Sequence, residues 1–288
     1  MPAPTPQDGQ IPYPQAPEIL PPDPAFAQAP SEPPRPQKRG WAYAPATYIL
    51  VGINCAVFLA MVFSGVSLTS PTGNQLLHWG ATYPAAVLYD GQWIRIVTAM
   101  FVHVGLIHLA TNMWCLWNLG LLGEPLLGPF GLVAAYVLSG AAGNLLSVGR
   151  SMSLHHENIV GAGASGAVFG IAGVLIILLK SPRLAARVPA AELKALRRNV
   201  IYFAVLNFVI GFGGSFMSLG VNIDNMAHLG GLLGGLLFAL PLVPRPGSPK
   251  SEFLFRRRLA VGLLTCVLVF FGVYLSAVFP APPLPMQQ

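Results

Sequence analysis

Charged residues interrupt this chain only at long intervals. No Asp, Glu, Lys or Arg falls in 40–89, 96–123, 125–149, 158–179, 199–223, 225–244 or 259–288. A helix that crosses a bilayer needs about 20 mostly apolar residues, and each interval is long enough to supply one. The pattern predicts helices near 46–67, 104–122, 127–148, 162–179, 199–217, 225–243 and 259–279, seven spans in all. The predicted fold class is an all-α polytopic membrane protein.

Composition agrees: 54% of residues are hydrophobic and 9% charged, where a soluble domain carries about 25% charged residues. Lys and Arg accumulate in cytoplasmic loops, and this sets the expected orientation. Arg35, Lys38 and Arg39 precede the first span, six basic residues (180–198) follow the fourth, and five (245–258) follow the sixth. Those fourteen share one face, and only Arg95 and Arg150 fall on the other. The N-terminus is therefore expected in the cytoplasm, the C-terminus outside, and the setting is the cell (plasma) membrane. Topology accounts for the net charge of +6, so no nucleic-acid partner is needed.

The domain organisation follows from the same pattern. Residues 1–43, with 13 prolines in the first 36 positions, read as a disordered cytoplasmic tail, because such a composition builds no packed core. The tail lacks the apolar core of a signal peptide, which leaves the first span as the insertion signal. Residues 44–243 form a six-helix core, 244–258 a basic cytoplasmic loop, and 259–288 a seventh span with a short outer tail. Cys55, Cys115 and Cys266 lie within spans without metal or redox spacing, and buried packing is their expected role.

Polar side chains inside spans are costly and tend to mark function. Span two and the segment before it hold His103, His108 and Asn112, span four Ser165, and span six His228. A lone intramembrane serine usually bonds its own helix, and a lone histidine usually makes one interhelical bond. Depth argues for more. Ser165 follows Glu157 by eight residues and His228 follows Asp224 by four, which places both roughly 5–12 Å below the outer surface on inward-running helices. His108 and Asn112, one turn apart, share a face near the outer end of span two. A hydroxyl, imidazoles and an amide thus meet at one level, as a nucleophile, a base and anion-stabilising donors require. Span four carries Gly163, Gly166, Gly170 and Gly173, and span six Gly230, Gly231, Gly234 and Gly235. Such faces let membrane helices pack backbone to backbone, though a helix-packing protein without chemistry would carry the same glycines.

Four elements in order resemble the rhomboid intramembrane serine proteases: Trp93-Ile94-Arg95; His103 with His108-x-x-x-Asn112; Gly163-x-Ser165-Gly166; and Ala227-His228-x-x-Gly231-x-x-x-Gly235. The resemblance covers roughly 46–243, and a six-span core with one extra C-terminal helix is similar to an arrangement in part of the family. It implies Ser165 as nucleophile and His228 as general base, with no cofactor and no metal. It implies an oxyanion held by the Ser165 backbone N–H, His108 and Asn112. No Asp or Glu lies in the predicted spans to complete a triad. The resemblance makes His103 a structural histidine, places Trp93 and Arg95 in a membrane-embedded first loop, and lets Gly166 leave room beside the nucleophile. Where relatives can carry a tyrosine that stacks on the histidine, this chain has Phe169. The implied substrates are transmembrane segments of single-pass proteins, cut near the outer face, and the lipid bilayer is the other partner.

Competing readings lack their context. The Gly161-x-Gly163-x-x-Gly166 spacing of a dinucleotide site needs a preceding strand and an acidic residue about 20 positions on, where Ala185 stands. A nucleophile elbow would require glycine at Ala167, and a zinc motif a second histidine at Val160. An inactive rhomboid-like client-binding protein would be expected to lack Ser165 or His228. A repeat-type transporter would show related halves.

Overall fold

Met1 apart, the computed structural model of this chain describes residues 43–157, 159–186, 188–216, 224–243 and 249–282. The proline-rich tail predicted for 1–43 lies almost wholly outside them. The described residues are helical, with an isolated bridge between Thr82 and Gly161. In chain order the helices are α1 (Pro45–Phe63), α2 (Gly73–His78), α3 (Pro84–Leu88), α4 (Arg95–Thr98), α5 (Leu106–Leu127), α6 (Pro129–Ser153), α7 (Ser165–Leu178), α8 (Pro182–Ala185), α9 (Ala190–Phe216), α10 (Asn225–Ala239) and α11 (Lys250–Val278). Among the described residues α1, α6, Asn225–Leu242 and Ser251–Val278 are long and apolar enough to cross a membrane. Helix α5 joins them when counted with Arg95–Phe101, from which it bends by 95°.

Helix α7 forms the middle of the fold. Every residue from Gly166 to Leu175 is buried, as expected of a helix that is apolar all round. Helices α6 and α10 pack closely on it and on each other, while α5 and α9 cover it elsewhere. Helix α11 lies outermost and presents Phe270, Val273 and Val278 away from the protein. It begins at Lys250, so the second half of the loop predicted for 244–258 is helix, and the chain from there to Val278 is continuous. Cys266 faces outward on α11, against the expectation of buried packing, while Cys55 and Cys115 are partly buried at the core.

The segment between α1 and α5 is held by side chains that satisfy its backbone carbonyls. Arg95 donates to Leu77 O at 2.8 Å and Ala81 O at 2.9 Å. From α6, Asn144 donates to Ile96 O at 2.8 Å and Tyr136 to Met100 O at 3.4 Å. Helix α11 closes the outer side: Leu275 packs with Val87, Ile96 and Val148, and the Trp93 ring lies against Gly272.

One carboxylate sits inside a span after all. Helix α5 extends past its predicted end to Leu127 and includes Glu124, which is 2% exposed. Glu124 accepts from Ala46 N at 2.9 Å, Thr47 N at 2.8 Å and the Thr47 hydroxyl at 2.7 Å. It therefore caps α1 from another helix, where the α1 residue before Pro45 offers no capping side chain. Each buried donor left without a partner costs about 1–3 kcal/mol. Glu124→Ala is expected to lower the unfolding temperature in detergent well below that of Glu124→Gln, which retains an amide oxygen as acceptor.

Candidate active site

Three helices start at one place. Ser165 is the first residue of α7, His228 lies in the first turn of α10, and His108 in the first turn of α5. Unsatisfied N–H groups give each helix start partial positive charge, so the site is preset to stabilise an anion. The sequence pattern predicts a helix from 162, with Ser165 already inside it. The helix begins at Ser165 instead, because Gly163 has φ +129°, a conformation closed to ordinary side chains. Gly163 N donates to Ala99 O at 2.9 Å, and Gly161 pairs with Thr82 in both directions. The approach to Ser165 is thereby fixed on the α1–α5 segment, and Ser165 stays partly exposed.

His228 reaches this place through the glycine contact of α7 with α10. A methyl group on Gly166 would lie 3.1 Å from Ala227 O, and one on Gly231 would overlap the Gly166 backbone. Gly235 stands against Gly170 in the same way one turn on. Ser165 and His228 are the chain neighbours of Gly166 and Ala227, so the backbone approach draws the two together. Phe169 stacks on the His228 ring with centroids 4.3 Å apart and planes 13° from parallel. Phe208 of α9 meets the same imidazole edge-on at 6.0 Å. Among the described residues the buried His228 Nδ1 has no hydrogen-bond partner. Asp224, one turn earlier, spends its carboxylate on Ala227 N and Ser147 instead. Glu124 is 12 residues beyond Asn112 on α5, about 18 Å along the helix. Stacking, not a carboxylate, fixes the plane of His228.

His108 is oriented by its surroundings. Val104 N donates to His108 Nδ1 at 3.2 Å, which assigns the proton of the neutral ring to Nε2. That Nε2 edge faces Gly163: a methyl group there would lie 2.6 Å from His108 Cε1 and 3.0 Å from Nε2. Asn112, 6% exposed, donates to His108 O at 2.9 Å, leaving one amide hydrogen uncommitted. His103 is wholly buried, its Nδ1 3.3 Å from Phe101 O and its ring 5.4 Å from that of His108. Trp93 and Arg95 stand apart from this group, Trp93 against α11 and Arg95 on the carbonyls of Leu77 and Ala81. Gly163→Ala meets both a forbidden φ and the His108 ring. It is expected to slow Ser165 labelling by a serine-directed probe by more than tenfold while the protein still purifies folded.

Sequence pattern alone does not bring out Thr82, Ala99, Val104 and Asp224, since each acts through the backbone or through a partner distant in the chain.

Fold and site together define a polytopic helical membrane protein that gathers a serine and two histidines at converging helix starts. Residues 90–245 match the family model described as the Rhomboid domain, and the chain belongs to the rhomboid family. It is 31% identical over 228 residues to rhomboid protease GluP of Bacillus subtilis (strain 168), covering 79% of this chain and 40% of that protein. To rhomboid protease AarA of Providencia stuartii it is 26% identical over 236 residues, 78% of this chain and 82% of the relative. To the mitochondrial RHOMBOID-like protein 6 of Arabidopsis thaliana it is 30% identical over 183 residues, 64% of this chain and 54% of the relative. The chain thus spans less than half the length of the Bacillus protein.

Proposed function

We propose that this protein is an intramembrane serine endopeptidase that cleaves transmembrane segments of other membrane proteins with Ser165 and His228. The observation that supports this reading is the backbone approach of α10 to α7 at Ala227 and Gly166, the chain neighbours of His228 and Ser165, with the His228 ring stacked on Phe169. Ser165 Oγ attacks the scissile carbonyl while His228 takes its proton, then returns it to the leaving amine. Water, activated by the same imidazole, releases the acyl group from Ser165. The oxyanion is stabilised by the Ser165 N–H, by His108 Nε2–H and by the free amide hydrogen of Asn112, with the α7 start adding positive potential.

The length of α7 supports cleavage inside the membrane. Its 14 residues rise about 21 Å, short of an apolar layer about 30 Å thick. With Lys180 at the cytoplasmic boundary, Ser165 lies below the outer surface, within reach of water from outside. The proposed topology has seven spans, a cytoplasmic N-terminus and an outer C-terminus in the plasma membrane. The substrates are single-pass proteins whose helices unwind at the scissile bond, since a helical carbonyl is otherwise occupied. The test is cleavage of a model transmembrane substrate in liposomes, with fluorophosphonate labelling alongside. Wild type should cleave and be labelled while Ser165→Ala does neither, and equal cleavage by both would sink the mechanism.

A further inference from the structure

The carboxylate nearest His228 in sequence does not touch the imidazole, yet it controls the turn that carries it. Asp224 is the N-cap of α10: its Oδ1 accepts from Ala227 N at 2.9 Å. Its Oδ2 accepts the hydroxyl of Ser147 on α6. Its backbone oxygen accepts His228 N at 3.1 Å, the bond that makes His228 helical. From Gly230 onward α10 is held by backbone approach to α6 and α7, with Gly230 over Ala142 and Gly143, and Gly231 over Gly166. Above that point the turn containing His228 is anchored by the cap and the Ser147 hydroxyl, by the Ala227 carbonyl lying over Gly143 and Gly166, and by the Phe169 and Phe208 rings on the imidazole, of which the cap and the hydroxyl are the polar ties to its backbone.

We propose that Asp224 is a positioning residue for the dyad, clipping the first turn of α10 to Ser147 of α6 so that His228 is held at Ser165. The inference rests on the protease reading above. A carboxylate that orients a catalytic histidine commonly does so through the second ring nitrogen. Here that nitrogen has no partner among the described residues, and the carboxylate acts one step back, on the backbone and on a neighbouring helix. Asparagine is as good an N-cap as aspartate, and its amide can donate to the Ser147 oxygen, so the clip survives Asp224→Asn. Alanine removes both connections.

The experiment uses the full chain in liposomes with a model transmembrane substrate. Wild type is compared with Asp224→Ala, Asp224→Asn, Ser147→Ala and the double variant, with Ser165→Ala as baseline. Displacement of a catalytic group by about 1 Å costs on the order of 100-fold in rate. Asp224→Ala is expected to lose about 10–100-fold in kcat with KM nearly unchanged. Asp224→Asn should recover most of that loss, Ser147→Ala should lose less, and the double variant should be no worse than Asp224→Ala. Amide exchange at residues 225–228 should quicken in Asp224→Ala, with the rest of α10 unaffected. Wild-type kcat in Asp224→Ala, or a folded Asp224→Asn as slow as Asp224→Ala, overturns the positioning role. Absence of Ser165-dependent cleavage by wild type is a different failure, and removes the protease reading on which the role depends.

Discussion

Ser165→Ala and His228→Ala should each reduce cleavage of a transmembrane substrate to the level of the variant lacking both. A nucleophile and its base act as one unit, so either deletion costs about 10⁴–10⁶ in kcat, and the second adds nothing. The geometry makes this test sharp for His228. Among the described residues its Nδ1 has no partner and neither Asp224 nor Glu124 bonds to the ring, so no third group there is at hand to replace a lost base. Asp224 is occupied by Ala227 and Ser147, and Glu124 by the start of α1. Of the other imidazoles near the site, His103 is wholly buried, and His108 accepts from Val104 N at Nδ1 and carries its proton on Nε2. It is set to donate, not to accept. Single-turnover cleavage by the two single variants and the double variant decides the matter. Ser165-dependent cleavage by His228→Ala within tenfold of wild type would mean that another group takes the proton. Loss of one oxyanion donor should be milder, about 10²–10³, which separates the role of His108 from that of His228.

The fold was legible in the sequence wherever burial alone decides structure. Intervals free of charge mark apolar helices because lipid tolerates few ionised groups, and the glycine faces of 163–173 and 230–235 announced a backbone contact that the structure contains. Helix ends were less legible. Helix α7 starts late because a single dihedral at Gly163 is set by its partner Ala99 O, a residue 64 positions away. Helix α5 runs on through Glu124 because the backbone N–H groups of α1 satisfy that carboxylate, which no local window can reveal. Helix α11 begins among its arginines because Arg256 pairs with Glu252 and Arg257 donates to Leu127 O at 2.7 Å. At the candidate site, residue types and order singled out Ser165, His228, His108 and Asn112 as candidates. The positioning shell was not legible, since Val104 and Ala99 act through main-chain groups that any residue could bring and Asp224 meets Ser147 across 77 positions of chain.

Gly231→Leu should damage stability and activity together. Its Cβ would point at the Gly166 carbonyl, carbonyl carbon and Cα. None of these can rotate away as a side-chain tip could, so the helices must separate. Overpacking a well-fitted interior costs about 1–3 kcal/mol even where neighbours can shift, and a rigid backbone on the far side places this site at the upper end or beyond. The displacement falls where it matters, because Gly166 adjoins Ser165 and lies against Ala227, the neighbour of His228. A control comes from α11, where a Cβ on Gly262 meets nothing within 4 Å. Gly262→Leu should unfold at the wild-type temperature in detergent and cleave normally. Gly231→Leu should unfold many degrees lower, and the fraction still folded should label Ser165 poorly. Wild-type labelling by that folded fraction would show that the backbone contact stabilises the bundle without setting the distance from His228 to Ser165. Glycine at this position would then serve packing alone.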